Sequence, residues 1–193
     1  MTRIEPLSKR EAHPLVRWTF GASRRDLGRD VDPVGVYAYA PRLLIGYGAF
    51  EKATAKEHRV EERLKALAET KAAAIVNCEF CCDIASSIAR EAGITEAQLL
   101  ALPRYRESDL FTEREKVALD FTVAVMRTPV EVTDELFARM QDHFTEEQLV
   151  EITALLTVVN LDRFNAAFRI GSAGFSEGMV CVLPDRPTAD LRS

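Results

Sequence analysis

The sequence has no apolar run of the ~18 residues that a membrane-spanning helix needs, so no stretch of it reads as a membrane segment. Met1 to Arg10 mixes charged and small residues and lacks the apolar stretch of a secretory signal, so a cytoplasmic protein is expected. Positive charge is short as well. The 25 Lys and Arg are outnumbered by 30 Asp and Glu, and the net charge of −5 offers phosphate backbones no general attraction. The densest basic spot, Arg24-Arg25 with Arg29, is interrupted by Asp26 and Asp30 and reads as a solvated face, so no nucleic-acid partner is expected. Gly46-Tyr47-Gly48 lacks the third glycine and the preceding strand of a phosphate loop. No hairpin-type strand pair, internal repeat or low-complexity stretch is visible. Histidine is scarce, with only His13, His58 and His143. His58 lies in the charged stretch Lys56-Glu57-His58-Arg59 and is expected to face water, while His143, just before a helix cap, reads as structural.

What is present is an ordinary soluble composition, 47% apolar and 28% charged, over 193 residues that suffice for a sizeable core. One all-helical domain over 1–193 is expected: an irregular N-terminal segment (1–40), a helical core (41–172) and an extended tail (173–193). Ser8 with Glu11 fits a capping box, and Pro14 suits the first turn of a short helix from about His13 to Leu27 that Gly28 ends. Val34 to Tyr39 has strand-like composition but precedes Pro41, and an extended loop is expected there. Leu43, Leu44, Tyr47 and Phe50 mark one apolar face. Val60, Leu64, Leu67, Ala68, Ala74 and Ile75 mark another, with Glu61, Glu62, Arg63 and Lys65 on its outer side. Thr95 with Gln98, Thr112 with Glu115, and Thr145 with Gln148 each open a helix by a capping box, and Gly93 closes one. Pro129 and the Thr133 region separate the next helix, Glu135 to Phe144, and a last long helix runs from Glu146 to about Ile170. The tail from Gly171 to Ser193, with Pro184 and Pro187, is expected to wrap the surface or a neighbour.

Four cysteines in a cytoplasmic chain are ordinarily reduced, buried and inert, yet Cys78, Cys81 and Cys82 fall within five residues. A Cys-x-x-Cys pair at a helix start lets two sulfurs approach to disulfide distance. The unpaired N–H groups and partial positive charge of that helix end stabilise a thiolate, and the second cysteine resolves an adduct formed on the first. Asn77 is placed to cap this helix, and Glu79 in its first turn favours the helix while opposing the thiolate. Two other readings stand beside the redox one. A metal site would need two further ligands, and those on offer are Cys82 on the same turn and the distant Cys181, His13, His58 and His143. The thiols can also be structural, buried and spaced by chance. No metal and no bound cofactor is expected.

The stretch from Leu64 through Thr70-Lys71-Ala72-Ala73-Ala74-Ile75-Val76-Asn77-Cys78-Glu79-Phe80-Cys81-Cys82-Asp83-Ile84-Ala85 resembles the core of the carboxymuconolactone decarboxylase and alkylhydroperoxidase D-like superfamily. Ala89-Arg90-Glu91-Ala92-Gly93, then Leu99-Leu100 and Leu102, continue the likeness, and Asn160-Leu161-Asp162-Arg163-Phe164-Asn165 is similar to the family's closing Asn-rich helix. The resemblance covers roughly residues 40 to 172 and is most specific at its centre.

The resemblance implies an all-helical bundle assembled as a homo-oligomer (dimer, trimer or hexamer), with the dithiol near subunit contacts that Arg163 and Asn165 could bridge. Members with both cysteines resemble peroxidases or disulfide reductases: by that likeness Cys81 is the attacking thiolate, Cys78 its resolver, the substrate a small peroxide or disulfide, and the reductant an external thiol. Members without the pair tend toward lactone decarboxylation. A non-redox enzyme of the same fold, or a non-catalytic oligomeric protein, is the alternative. Two positions depart from the peroxidase pattern, with Ala85 where it has a proton-relaying His and Ala66 where it has a Glu. Glu69, one turn beyond Ala66, is the candidate acid/base group, against a reading in which it is solvated or paired locally. Asp83, two residues after Cys81, points away from that sulfur on a helix and reads as structural.

Overall fold

The computed structural model of the chain describes residues 2–182. They form ten α-helices: α1 (Arg17–Leu27), α2 (Asp32–Tyr37), α3 (Pro41–Thr54), α4 (Glu62–Ile75), α5 (Glu79–Glu91), α6 (Glu96–Ala101), α7 (Glu113–Met126), α8 (Asp134–Gln141), α9 (Glu146–Leu161) and α10 (Arg163–Ala167), with 3-10 turns at Pro14–Val16 and Leu102–Glu107. No strand occurs among the described residues, so the fold is all-α. No described helix is long and apolar enough to cross a membrane.

The core is organised around α4, which packs on α5, α7 and α9. Leu64, Ala66, Leu67, Ala68, Ala72, Ala73 and Ala74 are buried on several sides of it, as expected of a helix enclosed by others. Its alanines let α5 come close. The Thr70 hydroxyl donates to the Ala66 carbonyl (2.6 Å) and lies 3.4 Å from the Ala85 carbonyl of the neighbouring helix. Lys65 is not on a solvated side. It is buried, with Nζ 2.7 Å from Glu62, 3.5 Å from Glu151 and 2.9 Å from the Glu57 carbonyl. Glu151 also accepts from the Arg59 and Val60 amides, so the cation sits among fixed acceptors.

A second, smaller apolar cluster joins Ala12, Val16, Tyr37, Ala38 and Leu44, and Phe164 packs against both clusters. The N-terminal segment expected to be irregular is therefore partly helical. The 3-10 turn and α1 fall where the short helix was expected, and Gly28 ends α1 at φ 74°. The extended loop expected at Val34 to Tyr39 is mostly α2. Asp32 and Pro33 open it, and Val36 and Tyr37 are buried from it. Gly35 leaves room for the chain's start, since a Cβ there would lie 2.6 Å from Pro6 Cβ. On α3 only Leu44 of the expected apolar face is buried, while Leu43 and Phe50 are exposed.

The capping boxes expected at Thr95, Thr112 and Thr145 open α6, α7 and α9, whereas Ser8 and Glu11 hydrogen-bond (2.6 Å) across a turn that opens no helix. Thr133 caps α8, which ends at Gln141 instead of reaching Phe144. The expected single helix from Glu146 to about Ile170 is broken at Asp162 into α9 and α10. Arg3 donates its backbone N–H to the Phe168 carbonyl (2.9 Å) and its guanidinium to that of Ala167 (3.0 Å), holding the end of α10.

Of the tail, residues 173–182 lie against α5, and 183–193 fall outside the described residues. Asp83, which is 1% exposed, fixes this strap: its carboxylate accepts from the backbone N–H of Ala173 (2.9 Å), Phe175 (3.0 Å) and Ser176 (2.7 Å) and from the Ser176 hydroxyl (2.6 Å). Further along, Ser86 accepts from the Val182 amide (3.0 Å), and Arg90 donates to the Val180 carbonyl (2.6 Å). Burial alone would raise the Asp83 pKa, but the Ser176, Phe175 and Ser172 donors outweigh it and hold the group at about 2. Because that pKa is depressed, the clamp's contribution is present above about pH 4 and is lost as pH falls toward 2. Asp83→Ala should cost about 2–4 kcal/mol at neutral pH by orphaning buried N–H groups, and the deficit should shrink in acid. Urea unfolding of parent and variant, repeated down to about pH 2, reads both effects.

Candidate functional site

The site is built at the joint between α4 and α5. Asn77 adopts left-handed backbone (φ 57°), its amide returns to the Ala74 carbonyl (3.2 Å), and the Cys78 amide returns to that of Ala73 (3.4 Å). This is a Schellman closure, whose left-handed position asparagine fills more readily than most residues. Asn77 therefore terminates α4 and does not cap α5. The cap of α5 is Cys78 itself, whose Sγ accepts from the Cys81 N–H at 3.1 Å. A sulfur thus occupies the place where first-turn amides favour negative charge. Cys78 and Cys81 form a disulfide with Cα atoms 5.2 Å apart; Cys78 is wholly enclosed and Cys81 is 5% exposed.

The hydrogen bond to the second sulfur comes from α10. Asn165 is buried, and its Nδ2 lies 3.7 Å from Cys81 Sγ and 3.3 Å from Asp162 Oδ1. Both neighbours are acceptors, which places the amide nitrogen, not the oxygen, on this side. Asn165 Oδ1 is buried and finds no partner among the described residues. Within the chain, Arg163 donates to Asn160 Oδ1 (2.5 Å) and to the Met126 carbonyl (3.0 Å).

Beyond Asp162 lies a group of acids and phenols. The Tyr47 hydroxyl is 3.0 Å from Asp162 Oδ1 and 2.8 Å from Glu51 Oε1. A phenol has one proton, so both contacts are hydrogen bonds only when one of the two carboxyl groups is protonated and donates back. Tyr37 roofs the group, stacked on Tyr47 (4.9 Å between centroids) and on Phe164 (3.8 Å). Burial, then the Glu51 charge, pushes Asp162 up to about 7, with the Tyr47 hydrogen bond opposing and Glu69 reinforcing. Burial pushes Glu69 up to about 7 as well; Lys65 opposes that shift, and Glu62 and Glu51 add to it. Burial, then the charges of Asp162 and Glu51, raise the Tyr37 phenol to about 12.

Of the residues singled out in the sequence, Cys78 and Cys81 are bonded to one another, and Glu69 joins the electrostatic field of Asp162. Ala66 and Ala85 are both buried, and the Thr70 hydroxyl lies within hydrogen-bond distance of both their carbonyls. Asp83 is the structural clamp described above. His58 is exposed and 3.3 Å from Glu62, and His143 is exposed. Cys82 is buried, and Cys181 lies 3.8 Å from the Ser86 hydroxyl. Among the described residues no three His, Cys, Asp or Glu side chains converge as a metal site. Tyr47, Glu51, Asp162 and the sulfur contact of Asn165 escaped the sequence reading. The available signals were the helical spacings Tyr47/Glu51 and Asp162/Asn165, each of which puts two polar groups on one face.

Residues 41–124 match the model of the carboxymuconolactone decarboxylase family. The Escherichia coli K12 protein YnjA is 31% identical over 189 residues, which span 95% of this chain and 98% of YnjA. The debrominase Bmp8, solved in complex with 2,3,4-tribromopyrrole, is similar in structure with a TM-score of 0.77 at 23% identity, over 91% of this chain and 94% of Bmp8. An alkylhydroperoxidase AhpD core, a peroxidase-related protein from Ralstonia eutropha JMP134, gives a TM-score of 0.78 at 19% identity over 93% and 97% of the two chains. At these identities the structural likeness speaks for the fold.

The raised acids predict a pH signature. A carboxyl near 4 when unfolded and near 7 when folded keeps its proton only in the native state between those values, so stability falls as pH rises from about 4 to about 7. Asp162→Asn should flatten that fall when unfolding is followed by urea titration at about pH 5 and pH 8. An unchanged slope would show that Asp162 titrates normally.

Proposed function

The chain belongs to the carboxymuconolactone decarboxylase family, and on that premise we propose that it is a thiol-dependent oxidoreductase that reduces a small peroxide or disulfide through Cys81 and Cys78. The observation that carries this reading is the pair itself: two sulfurs within bonding reach at the start of α5, one taking a first-turn amide and the other a side-chain amide. Those N–H donors favour the thiolate over the thiol.

In the peroxide reaction the Cys81 thiolate attacks the distal oxygen of ROOH. An S–O bond forms, the O–O bond breaks, and RO⁻ leaves to become ROH on protonation. The Cys78 thiolate then attacks Cys81 Sγ, the S–O bond breaks, and hydroxide leaves as water, completing the disulfide. Two electrons from an external thiol, two RSH becoming RSSR, restore the dithiol. With a disulfide substrate the same attack forms a mixed disulfide, which Cys78 resolves. A cytoplasmic setting would supply such a reductant. No bound cofactor takes part in these steps. We further propose a homo-oligomer, supported by the exposed apolar side chains of Leu43, Val150 and Leu161. The debrominase relative cautions that the fold itself does not choose a substrate. Retention of both thiols is what favours redox chemistry over lactone decarboxylation.

Cys81→Ser should lower peroxide-dependent turnover by at least about 10³-fold, as loss of a nucleophile does elsewhere. Cys78→Ser should stop after one half-reaction and accumulate a sulfenate or mixed disulfide on Cys81, visible as a mass increase in the intact protein. If both variants turned over like the parent, the cysteines would not be the reacting groups.

A further inference from the structure

We infer that Glu51, Tyr47 and Asp162 form the proton path between solvent and the Cys81 sulfur, standing in for the acid/base pair that Ala66 and Ala85 cannot supply. The inference rests on Cys81 being the attacking thiolate. It concerns where the protons of that reaction go, because the dithiol itself is enclosed: Cys78 is fully buried and Cys81 almost so.

Hydrogen-bond distances connect Glu51, Tyr47 and Asp162, and Asn165 links Asp162 to the sulfur. Glu51 is an exposed residue whose carboxyl is nonetheless pushed up by desolvation, against the Tyr47 hydrogen bond, so it can hold a proton and exchange it with water. Tyr47 stands between Glu51 and Asp162 at hydrogen-bond distance from both, and a phenol can give its proton to one carboxylate while accepting from the other. Asp162 and Cys81 are held against the same nitrogen of Asn165, so carboxyl and sulfur border one small space. Asn165 Oδ1 is a further buried acceptor without a partner among the described residues. Other charged groups around the path are Glu69, Glu62 and Lys65 from α4, while Tyr37 from α2 stays neutral and Arg163 is occupied by Asn160 and the Met126 carbonyl. An acid near 7 is well matched to accepting and returning a proton at neutral pH.

The proton balance closes. The proton leaving Cys81 as its thiolate forms passes to Asp162. When the O–O bond breaks, Asp162 returns it to RO⁻. The emptied carboxylate then takes the Cys78 proton as that thiol becomes a nucleophile, and gives it to the departing hydroxide. Glu51 and Tyr47 equilibrate the store with solvent between turnovers.

The test is single-turnover oxidation of the reduced full chain by tert-butyl hydroperoxide, and separately by oxidised glutathione, from about pH 5 to about pH 9, in the parent and in Tyr47→Phe, Asp162→Asn, Glu51→Gln and Cys81→Ser. The path predicts that the first three variants lose about 10²-fold in rate near pH 7 and lose the limb of the profile set by the acid, while iodoacetamide still alkylates Cys81. Tyr47→Phe removes a single oxygen and keeps the test sound if Asp162→Asn misfolds. Parent-like profiles in these variants, with Cys81→Ser inactive, would overturn the path and leave the dithiol chemistry standing. A loss equal at every pH would assign these residues to packing and would also overturn it. If neither probe oxidises the parent, or Cys81→Ser reacts as fast as the parent, the dithiol reading fails and takes the path with it.

Discussion

Close approach of α4 and α5 is the constraint from which the site follows. Alanines on α4 and Ala85 and Ala89 on α5 remove the bulk that would hold two helices apart, and Thr70 spans what gap is left. Helices this near must be joined by a short turn, and a left-handed asparagine supplies it in one residue. The chain then re-enters helix at once. That immediate restart places Cys78 at the cap and Cys81 one turn on, where a single bond can join them. The same closeness suits the small side chains of Ala66 and Ala85, which carry no acid/base group.

Carboxyls raised by burial gather where the small N-terminal cluster meets the main core. The aromatic stack of Tyr47, Tyr37 and Phe164 keeps water away from Asp162, and α10 turns Asn165 toward the sulfur. The residues that gather there come from α2, α3, α4 and α10, so the cluster forms only once the N-terminal layer has docked. The layer thus belongs to the site as much as to the scaffold.

Features set by local chemistry were legible in the sequence. Capping boxes at Thr95, Thr112 and Thr145, the stops at Gly28 and Gly93, and the dithiol at a helix start each depend on residues within a few positions of one another. Features set by tertiary partners were not. Val34 to Tyr39 has strand-like composition, yet Asp32 and Pro33 start a helix that the second cluster buries. Lys65 reads as surface until Glu151, far along the chain, encloses it. Asn77 reads as a cap for α5, but the positive φ it accepts makes it the end of α4. Tyr47 and Asp162 are 115 residues apart, and no spacing rule brings them together. The break between α9 and α10 lacks proline or glycine, and its only local sign was a cluster of Asn and Asp.

Arg3 grips the far end of α10 through two carbonyls, and Asn165 lies within that same short helix. A helix of five residues has little stiffness of its own, so its orientation is borrowed from what it is tethered to. The beginning of the polypeptide and the aim of the amide at the sulfur are therefore mechanically linked. A displacement of residue 3 would be passed to the short helix that carries Asn165.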